Sequence, residues 1–212
     1  MSRRGRFITL EGVEGVGKST QAVLLAEWLE EEGVAVELTR EPGGTPTAEA
    51  IRKLLKHSPV DAISPETELL LIFAARAAHA EKRLRPALAA GRWVVCDRFV
   101  DASFAYQGAG RRLGATRVAM LADWLVPDLV PDLSLWLDLP AEATVSRLAG
   151  RGTRDRFERE DDDFFRRVRE GYAARLEHEP DRFRRVAAEG TPEAVQMRCR
   201  ELVAPLLRGG AK

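Results

Sequence analysis

A glycine-rich stretch near the start of the sequence has the residue types and spacing to hold phosphate. The segment GVEGVGKST satisfies the pattern GxxxxGK[ST] and lies between the apolar run FITL and the helical pattern AVLLAEWL. In such a loop the backbone N–H groups surround phosphate oxygens, Lys18 reaches the β- and γ-phosphates, and the Ser19 hydroxyl ligates magnesium. The alternative is a glycine-rich turn with a solvated lysine. The residues predicted to bind the nucleotide are Gly12, Val13, Glu14, Gly15, Val16, Gly17, Lys18, Ser19 and Thr20.

A second metal ligand is expected at the end of another strand. The apolar run WVVCD ends in Asp97, and in open α/β sheets ligands bind beyond the carboxyl ends of the strands. Asp97 is therefore predicted to support magnesium beside Ser19. The alternative is a carboxylate paired with its neighbour Arg98.

Arginines in three separate places indicate an anionic acceptor. They are Arg40 in REPGGT, Arg76 in FAARAAH and Arg98 in CDRF. A phosphate group, with a second pKa near ~6, is largely dianionic at neutral pH and needs cations more than a base. Arg76 interrupts an apolar helix, where a charge needs a partner; the alternative for it is an ion pair with a buried carboxylate.

The charged segment RGTRDRFERE, residues 151 to 160, is too polar for a core. It is predicted to be a mobile cover, or lid, that brings Arg151, Arg154 or Arg156 onto the transferring group and excludes water. The alternative is a solvated charge run.

Short apolar runs alternate with helical patterns along the chain, which predicts a mainly parallel α/β sheet covered by helices on both faces. The predicted strands are RFITL, VAVELT, WVVCD, LSLWLDL and a short segment at 184–186. The predicted helices span 19–32, 48–57, about 65–84, a segment around Val118 to Leu125, a segment opening at Pro140, 163–178, and a C-terminal segment containing Val195 to Leu206.

Composition predicts an ordinary soluble chain. The 212 residues carry 33 basic and 33 acidic side chains, so no net charge points to nucleic acid or membrane. No run of about 18 apolar residues is available for a membrane span. The two cysteines lack metal-ligand spacing, which favours a reducing cytoplasm. Residues 1–212 are expected to form a single domain, with the lid at about 150–160.

Several motifs together resemble the thymidylate kinases, a family of P-loop nucleoside monophosphate kinases. FITLEGVEGVGKSTQ, TREPGGT, FAAR, CDRFVDASFAYQG, PDLSLWLDL and RGTRDRFE occur in that family's order, over nearly the whole chain. The resemblance implies a three-layer P-loop NTPase fold with a five-stranded parallel sheet and a short lid. It implies the reaction of ATP with dTMP to give ADP and dTDP, with magnesium, and a homodimer.

The resemblance also implies roles at the phosphates. Lys18 and Ser19 would serve ATP and magnesium, and Asp97 would lie near the metal and the acceptor phosphate. Arg40 and Arg98 would grip the phosphate of dTMP.

At the base the resemblance implies further contacts. Phe73 would stack on thymine, whereas Arg76 and Gln107 would address the base, which replaces the phosphate role that charge alone suggests for Arg76. Ser103 and Tyr106 would line the pocket, with the tyrosine disfavouring a ribose 2′-hydroxyl. Without the resemblance, Phe73 would be interpreted as a residue of the core. Tyr106 and Gln107 would be interpreted as residues on the surface of a helix.

The chain departs from the family pattern in two places. Glu14 matches an acidic position that faces the sugar 3′-hydroxyl, but the next residue, an arginine in some relatives, is Gly15 here. The catalytic cation must then come from the lid, as Arg151 or Arg154, which resembles the bacterial variants. Ala102 replaces a hydroxyl residue of many relatives and removes one possible hydrogen bond.

Other readings stay open on residue types alone. A deoxynucleoside kinase would share the P-loop and the lid, with Glu11 or Glu14 as a base. A nucleotide-dependent switch is a second alternative, although the chain has no NKxD motif. The homodimer has indirect support, because the helix with Val118 also carries Met120 and Trp124 off its apolar stripe; packing inside one chain explains these residues equally well.

Overall fold

Five parallel strands form one sheet in the computed structural model, which describes residues 4–59, 62–139, 156–157 and 159–208. The order of the strands in the sheet is β2-β3-β1-β4-β5, and every neighbouring pair is parallel. All five predicted strands are confirmed, with shifts of one or two residues at their ends. They are β1 Phe7–Glu11, β2 Val36–Arg40, β3 Trp93–Asp97, β4 Leu133–Asp138 and β5 Phe183–Ala187.

The burial of the strands follows their position in the sheet. β1 and β4 are buried at every residue, whereas the edge strands β2 and β5 are buried only in part. Because helices cover both faces of the sheet, its central strands read as continuous apolar runs. Adjacent residues of β1 enter different clusters: Ile8 packs with the leucines of the first helix and Phe7 with Phe99. Successive residues of a strand point to opposite faces of the sheet, which accounts for the alternation.

The helices begin where side chains can cap them. Thr45 and Ser64 each accept a hydrogen bond, of 3.2 Å, from the backbone N–H three residues on, and a proline follows each of them. The helices are α1 Lys18–Glu31, α2 Pro46–His57, α3 Pro65–His79, α4 Arg85–Ala89, α5 Val100–Ser103, α6 Ala115–Leu125, α7 Asp162–His178 and α8 Pro192–Arg208.

Two π-helical segments depart from the sequence expectation. The predicted helix at 65–84 is α3 followed by the π-helical segment Ala80–Leu84. The polar stretch after β3, for which no helix was expected, folds into α5 and a second π-helical segment, Phe104–Gly110. Its polar residues are buried and hydrogen-bonded inside the protein, so their polarity does not mark a loop. The expected helix at Pro140 lies outside the described residues.

Two helices, α1 and α8, pack on one face of the sheet. α1 and α8 cover one face through Leu25, Leu29 and Val203. Cys96 and Cys199 are both free and buried. Within the described ranges, no helix has the length and apolarity that crossing a membrane requires.

Candidate active site

The phosphate-binding loop lies between the end of β1 and the start of α1. Gly12 has a φ of 132°, and a Cβ there would come within 2.5 Å of the Leu137 carbonyl oxygen. Gly17, with a φ of 98°, is the residue directly before α1. Both positions need glycine, since an L side chain is strained at these angles. The loop thus presents its backbone to a phosphate at a helix N-terminus.

Lys18 lies folded over this loop. Its ammonium donates to the Val13 carbonyl oxygen at 2.6 Å, and the residue is only 7% exposed. Burial, together with the nearby positive charge of Arg98, lowers the pKa of Lys18 to about 8. An anion in the loop would offset both effects, because it stabilises the charged ammonium.

Ser19, in the first turn of α1, contacts Asp97 at the end of β3. The Ser19 hydroxyl donates to Asp97 Oδ2 at 2.6 Å. The alternative pairing of Asp97 with Arg98 is not the contact found here, because Arg98 is paired with Glu14. A hydroxyl and a carboxylate are the hard oxygen ligands that magnesium prefers. This pair is therefore the candidate metal site. Within the described ranges no cluster of three or more His, Cys, Asp or Glu residues could hold a metal.

Arg98 takes a conformation that is rare for a residue with a side chain. Its φ is 74°. The guanidinium donates to Glu14 Oε1 at 2.7 Å and to the Gly12 carbonyl oxygen at 2.9 Å, and it lies 4.8 Å from the centre of the Tyr106 ring. The Tyr106 hydroxyl donates to the other oxygen of Glu14 at 2.5 Å. These contacts hold Arg98 against the phosphate-binding loop despite its backbone angle.

Two further arginines, Arg40 and Arg52, lie near each other at the end of β2 and on α2. Arg40, at the end of β2, pairs with Glu49 at 2.9 Å and keeps 49% of its side chain exposed. Arg52, on α2, donates to the Pro42 carbonyl oxygen at 2.8 Å. Burial lowers the pKa of Arg52, and the neighbouring Arg40 lowers it further. Two adjacent cations of this kind form a site for an anion.

These groups line one cleft of about 270 Å³. It opens at the carboxyl ends of β1, β2 and β3, as expected for an open α/β sheet. Sequence reasoning identified most of the lining residues but missed Arg52, Ile72 and Phe157, among others. Arg52 belongs to no motif singled out in the sequence, whereas Phe157 lies in RGTRDRFE, where only the arginines were assigned roles. The lining residues include Glu14, Gly15, Gly17, Lys18, Ser19, Thr20, Arg40, Arg52, Ile72, Arg76, Asp97, Arg98, Ala102, Ser103, Tyr106, Gln107 and Phe157.

Arg76 reaches the cleft from α3 with its donors already engaged. It donates to Glu41 at 2.7 Å, to the Ser103 hydroxyl at 3.0 Å and to the Phe99 carbonyl oxygen at 3.0 Å. The residue is 2% exposed. The ion pair with a buried carboxylate, the alternative that the sequence left open, is therefore present. It fixes a planar cation beside Ser103, at the end of the cleft away from the phosphate-binding loop.

Phe73 packs in the core beside the cleft. Its ring is 1% exposed, lies 4.5 Å from the Arg76 guanidinium and packs in the core with Leu69 and Val118. Ile72 lines the cleft instead. Adjacent residues of a helix point about 100° apart, so a shift of one position exchanges the core face for the cleft face. The stacking role of Phe73 on the base stays a prediction.

Comparisons with known proteins agree with this arrangement. The family model described as Thymidylate kinase matches residues 10–199. This chain belongs to the thymidylate kinase family. It is 56% identical to the thymidylate kinase of Alkalilimnicola ehrlichii over 202 residues, which are 95% of this chain and 93% of that protein. It is also 56% identical to that of Chromohalobacter salexigens over 194 residues, covering 91% and 92% of the two chains.

A solved structure supports the fold assignment. The crystal structure of thymidylate kinase from Ehrlichia chaffeensis superposes with a TM-score of 0.79 at 32% identity, covering 95% of this chain and 99% of that one. The predicted α/β P-loop NTPase fold is therefore confirmed. The chain is an enzyme of a kinase family.

The lid of this family member is described only at its end. Arg151 and Arg154 lie outside the described residues. Arg156, the third lid arginine of the sequence analysis, is 2% exposed; it donates to the Leu55 carbonyl oxygen at 3.0 Å and pairs with Glu68. These contacts give Arg156 a structural role.

Glu11, one possible base of a nucleoside kinase, is not a wall of the cleft. It is fully buried and accepts hydrogen bonds from the Phe99 N–H at 2.9 Å and from the Tyr172 hydroxyl at 3.3 Å. Burial, with a contribution from the charge of Asp101, raises the pKa of Glu11 to about 8. Glu14 is the other possible base, but it is occupied by Arg98 and Tyr106.

Proposed function

We propose that this chain transfers the γ-phosphoryl group of ATP to the phosphate of dTMP, giving ADP and dTDP for dTTP synthesis. Membership of the thymidylate kinase family supports this reaction. The observation that carries it is the meeting of a phosphate-binding loop with Arg40, Arg52 and Arg98 around one cleft. Three cations on the acceptor side suit an acceptor that is itself a phosphate, whereas a hydroxyl acceptor needs a base.

The donor side would be held by the loop and by α1. The backbone N–H groups of residues 12–20 would surround the phosphates of ATP, and Lys18 would leave the Val13 carbonyl to contact the β- and γ-phosphates. Ser19 and Asp97 would hold magnesium, which neutralises charge on the phosphates of ATP when bound. The 2.6 Å contact between their oxygens supports this assignment.

The acceptor side would be held by the three arginines. Arg40 and Arg52 are close enough to repel each other. A bound anion between them would offset this repulsion. Arg98 lies at the boundary of the donor and acceptor sides, against the Gly12 carbonyl. These positions would bring the acceptor phosphate into line with the γ-phosphate, so catalysis would come from positioning and charge neutralisation.

The far end of the cleft would take the nucleoside. Glu14 and Tyr106 would face the sugar, and their 2.5 Å hydrogen bond supports a fixed wall there. Ser103, Arg76 and Gln107 would surround the base. Ile72 would supply an apolar contact, and Phe73 is the residue proposed to stack on thymine.

The remaining parts of the proposal concern the lid, the assembly and the location. Arg151 or Arg154 would supply the catalytic cation of the lid. A homodimer is supported by α6, which exposes 66% of Met120 and 75% of Trp124. A cytoplasmic location is supported by the two free cysteines.

The deciding experiment measures ADP release from ATP and magnesium with dTMP, dUMP, CMP, AMP or thymidine, each against a reaction without acceptor. We expect strong stimulation by dTMP. Stimulation by thymidine but not by dTMP would assign the chain to the nucleoside kinases. Turnover independent of any acceptor would favour a nucleotide-dependent switch.

A further inference from the structure

A buried carboxylate lies behind the base end of the cleft and is not part of its wall. Glu68, on α3, is 0% exposed. It accepts hydrogen bonds from Gln107 Nε2 at 2.8 Å and from Arg111 Nε at 3.2 Å, and it pairs with Arg156 Nη2. Burying a carboxylate is costly unless it is paired and hydrogen-bonded, and here two guanidinium groups offset that cost.

The chemistry of Glu68 determines how the Gln107 amide lies. A carboxylate paired with two guanidinium groups is negatively charged and only accepts hydrogen bonds. An amide has one end that donates and one that accepts, so Gln107 must turn its NH₂ group towards Glu68. Its Oε1 atom is thereby directed to the opposite side of the amide. The reverse orientation would bring two acceptors together in a buried place and leave both without a donor, which is unfavourable.

Gln107 is itself a lining residue of the cleft, at 1% exposure. An amide that presents an acceptor is complementary to a base with a donor at ring position N3, as in thymine and uracil. It is mismatched to cytosine, whose N3 is an acceptor. The orientation of the Gln107 amide can therefore discriminate between monophosphates of thymine or uracil and those of cytosine, although the bases are similar in size.

We propose that Glu68 is a positioning residue that fixes the Gln107 amide and thereby selects pyrimidine monophosphates with an N3–H donor. The inference rests on the proposed function, since it assumes that the base lies at this end of the cleft. Arg111 and Arg156 form ion pairs with this carboxylate, and neither needs to contact the base.

The test compares kcat/KM for dTMP and dCMP in the Glu68→Gln variant. A glutamine at this position can donate as well as accept, so the Gln107 amide can turn over without loss of its hydrogen bond. We expect the ratio of kcat/KM for dTMP to that for dCMP to fall by about tenfold or more, mainly through KM. Glu66→Gln, at an exposed position in the first turn of α3, should leave the ratio unchanged.

Arg156→Met is the control for a purely structural role. It breaks an ion pair of the same carboxylate but keeps the hydrogen bond from Gln107, so it should lower the melting temperature and preserve the ratio. If Glu68→Gln does not fold, the double variant Glu68→Gln with Arg156→Met removes the unpaired buried charge. Its ratio is then compared with that of Arg156→Met alone.

Three results would decide the matter against Glu68. If a folded Glu68→Gln variant has the wild-type ratio, the assignment of Glu68 is overturned and the proposed function is left intact. The same holds if the double variant, used in its place, has the ratio of Arg156→Met alone. An equal fall of the ratio in Arg156→Met shows that packing is responsible. A wild-type protein that does not phosphorylate dTMP overturns the proposed function, and the role of Glu68 fails with it.

Discussion

The Ser19 hydroxyl donates a 2.6 Å hydrogen bond to the Asp97 carboxylate, joining the first turn of α1 to the end of β3. The register of the sheet sets this contact, because Leu10 of β1 is the partner of Asp97 in the parallel pair. Two oxygen ligands from separate elements are thus held together before any metal binds. Such preorganisation lowers the cost of forming a magnesium site.

Asp97→Asn should therefore raise the magnesium concentration needed for half-maximal activity by about tenfold or more, because a carboxylate ligand is replaced by a neutral amide. The measurement is a magnesium titration of initial rates at fixed ATP. Asp128→Asn, which changes an exposed partner of Arg85, is the matched control. An unchanged magnesium requirement in Asp97→Asn would refute the metal site.

Arg52→Ala should weaken dTMP binding and leave thymidine binding unaffected, since the arginine is expected to contact only the phosphate. The loss of a hydrogen bond to a charged group corresponds to a rise in the KM for dTMP of about 10–100-fold. Thymidine, assayed as a competitive inhibitor, should keep its inhibition constant. Arg166→Ala changes an arginine on the exposed face of α7 and serves as the control. Equal weakening of both ligands would place Arg52 elsewhere in the site or in the fold.

Alanine at Arg151 or Arg154 should lower kcat far more than it weakens dTMP binding, because a lid cation acts mainly on the transition state. Steady-state kinetics and equilibrium binding of dTMP separate the two effects. The lid assignment would be lost if kcat were unchanged in both single variants and in the double variant.

Glu11→Gln should stabilise the protein increasingly as the pH rises. Burial, with a contribution from Asp101, raises the pKa of Glu11 from 4.5 to about 8. The folded state therefore holds a proton that the unfolded state releases between these values, and wild-type stability falls as pH rises through that window. Glutamine cannot ionise, so the difference in unfolding free energy should grow, by at most on the order of 5 kcal/mol. Urea unfolding of both proteins at pH 5 and pH 8 tests this; a constant difference would contradict it.

Trp124→Arg combined with Met120→Lys should dissociate the proposed homodimer, since two charges replace the exposed apolar surface of α6. Sedimentation velocity gives the oligomeric state. Met197→Lys, on the exposed surface of α8, should leave the assembly as it is. A wild-type protein that sediments as a monomer would exclude the homodimer directly.

The sheet and the phosphate-binding loop could be predicted from sequence because their signals are local. Buried parallel strands read as apolar runs, and a glycine-rich loop between a strand and a helix has few other uses. The helical stretch after β3 could not be predicted with the same ease, because the buried partners of Ser103 and Gln107, which are Arg76 and Glu68, lie far away in the sequence.

At the cleft wall, motifs in the sequence identify α3 but not every residue of α3 that lines the cleft. Phe73 is the more conspicuous residue, yet Ile72 lines the cleft, and only the rotation of α3 in the fold distinguishes them. Arg52 and Phe157 were missed because tertiary packing brings them to the cleft.

In the part of the chain that the structure describes, the arginines lining the cleft are bound to groups of the protein itself. Arg98 pairs with Glu14, Arg76 with Glu41, and Arg40 with Glu49. A nucleotide phosphate would therefore not enter a field of bare positive charge; it would compete with carboxylates that already occupy the cations. Binding becomes an exchange of one anion for another, in which isolated inorganic phosphate has little advantage. An anion anchored by its nucleoside can displace these internal partners, so the enzyme favours whole nucleotides over the phosphate ions that surround them in solution.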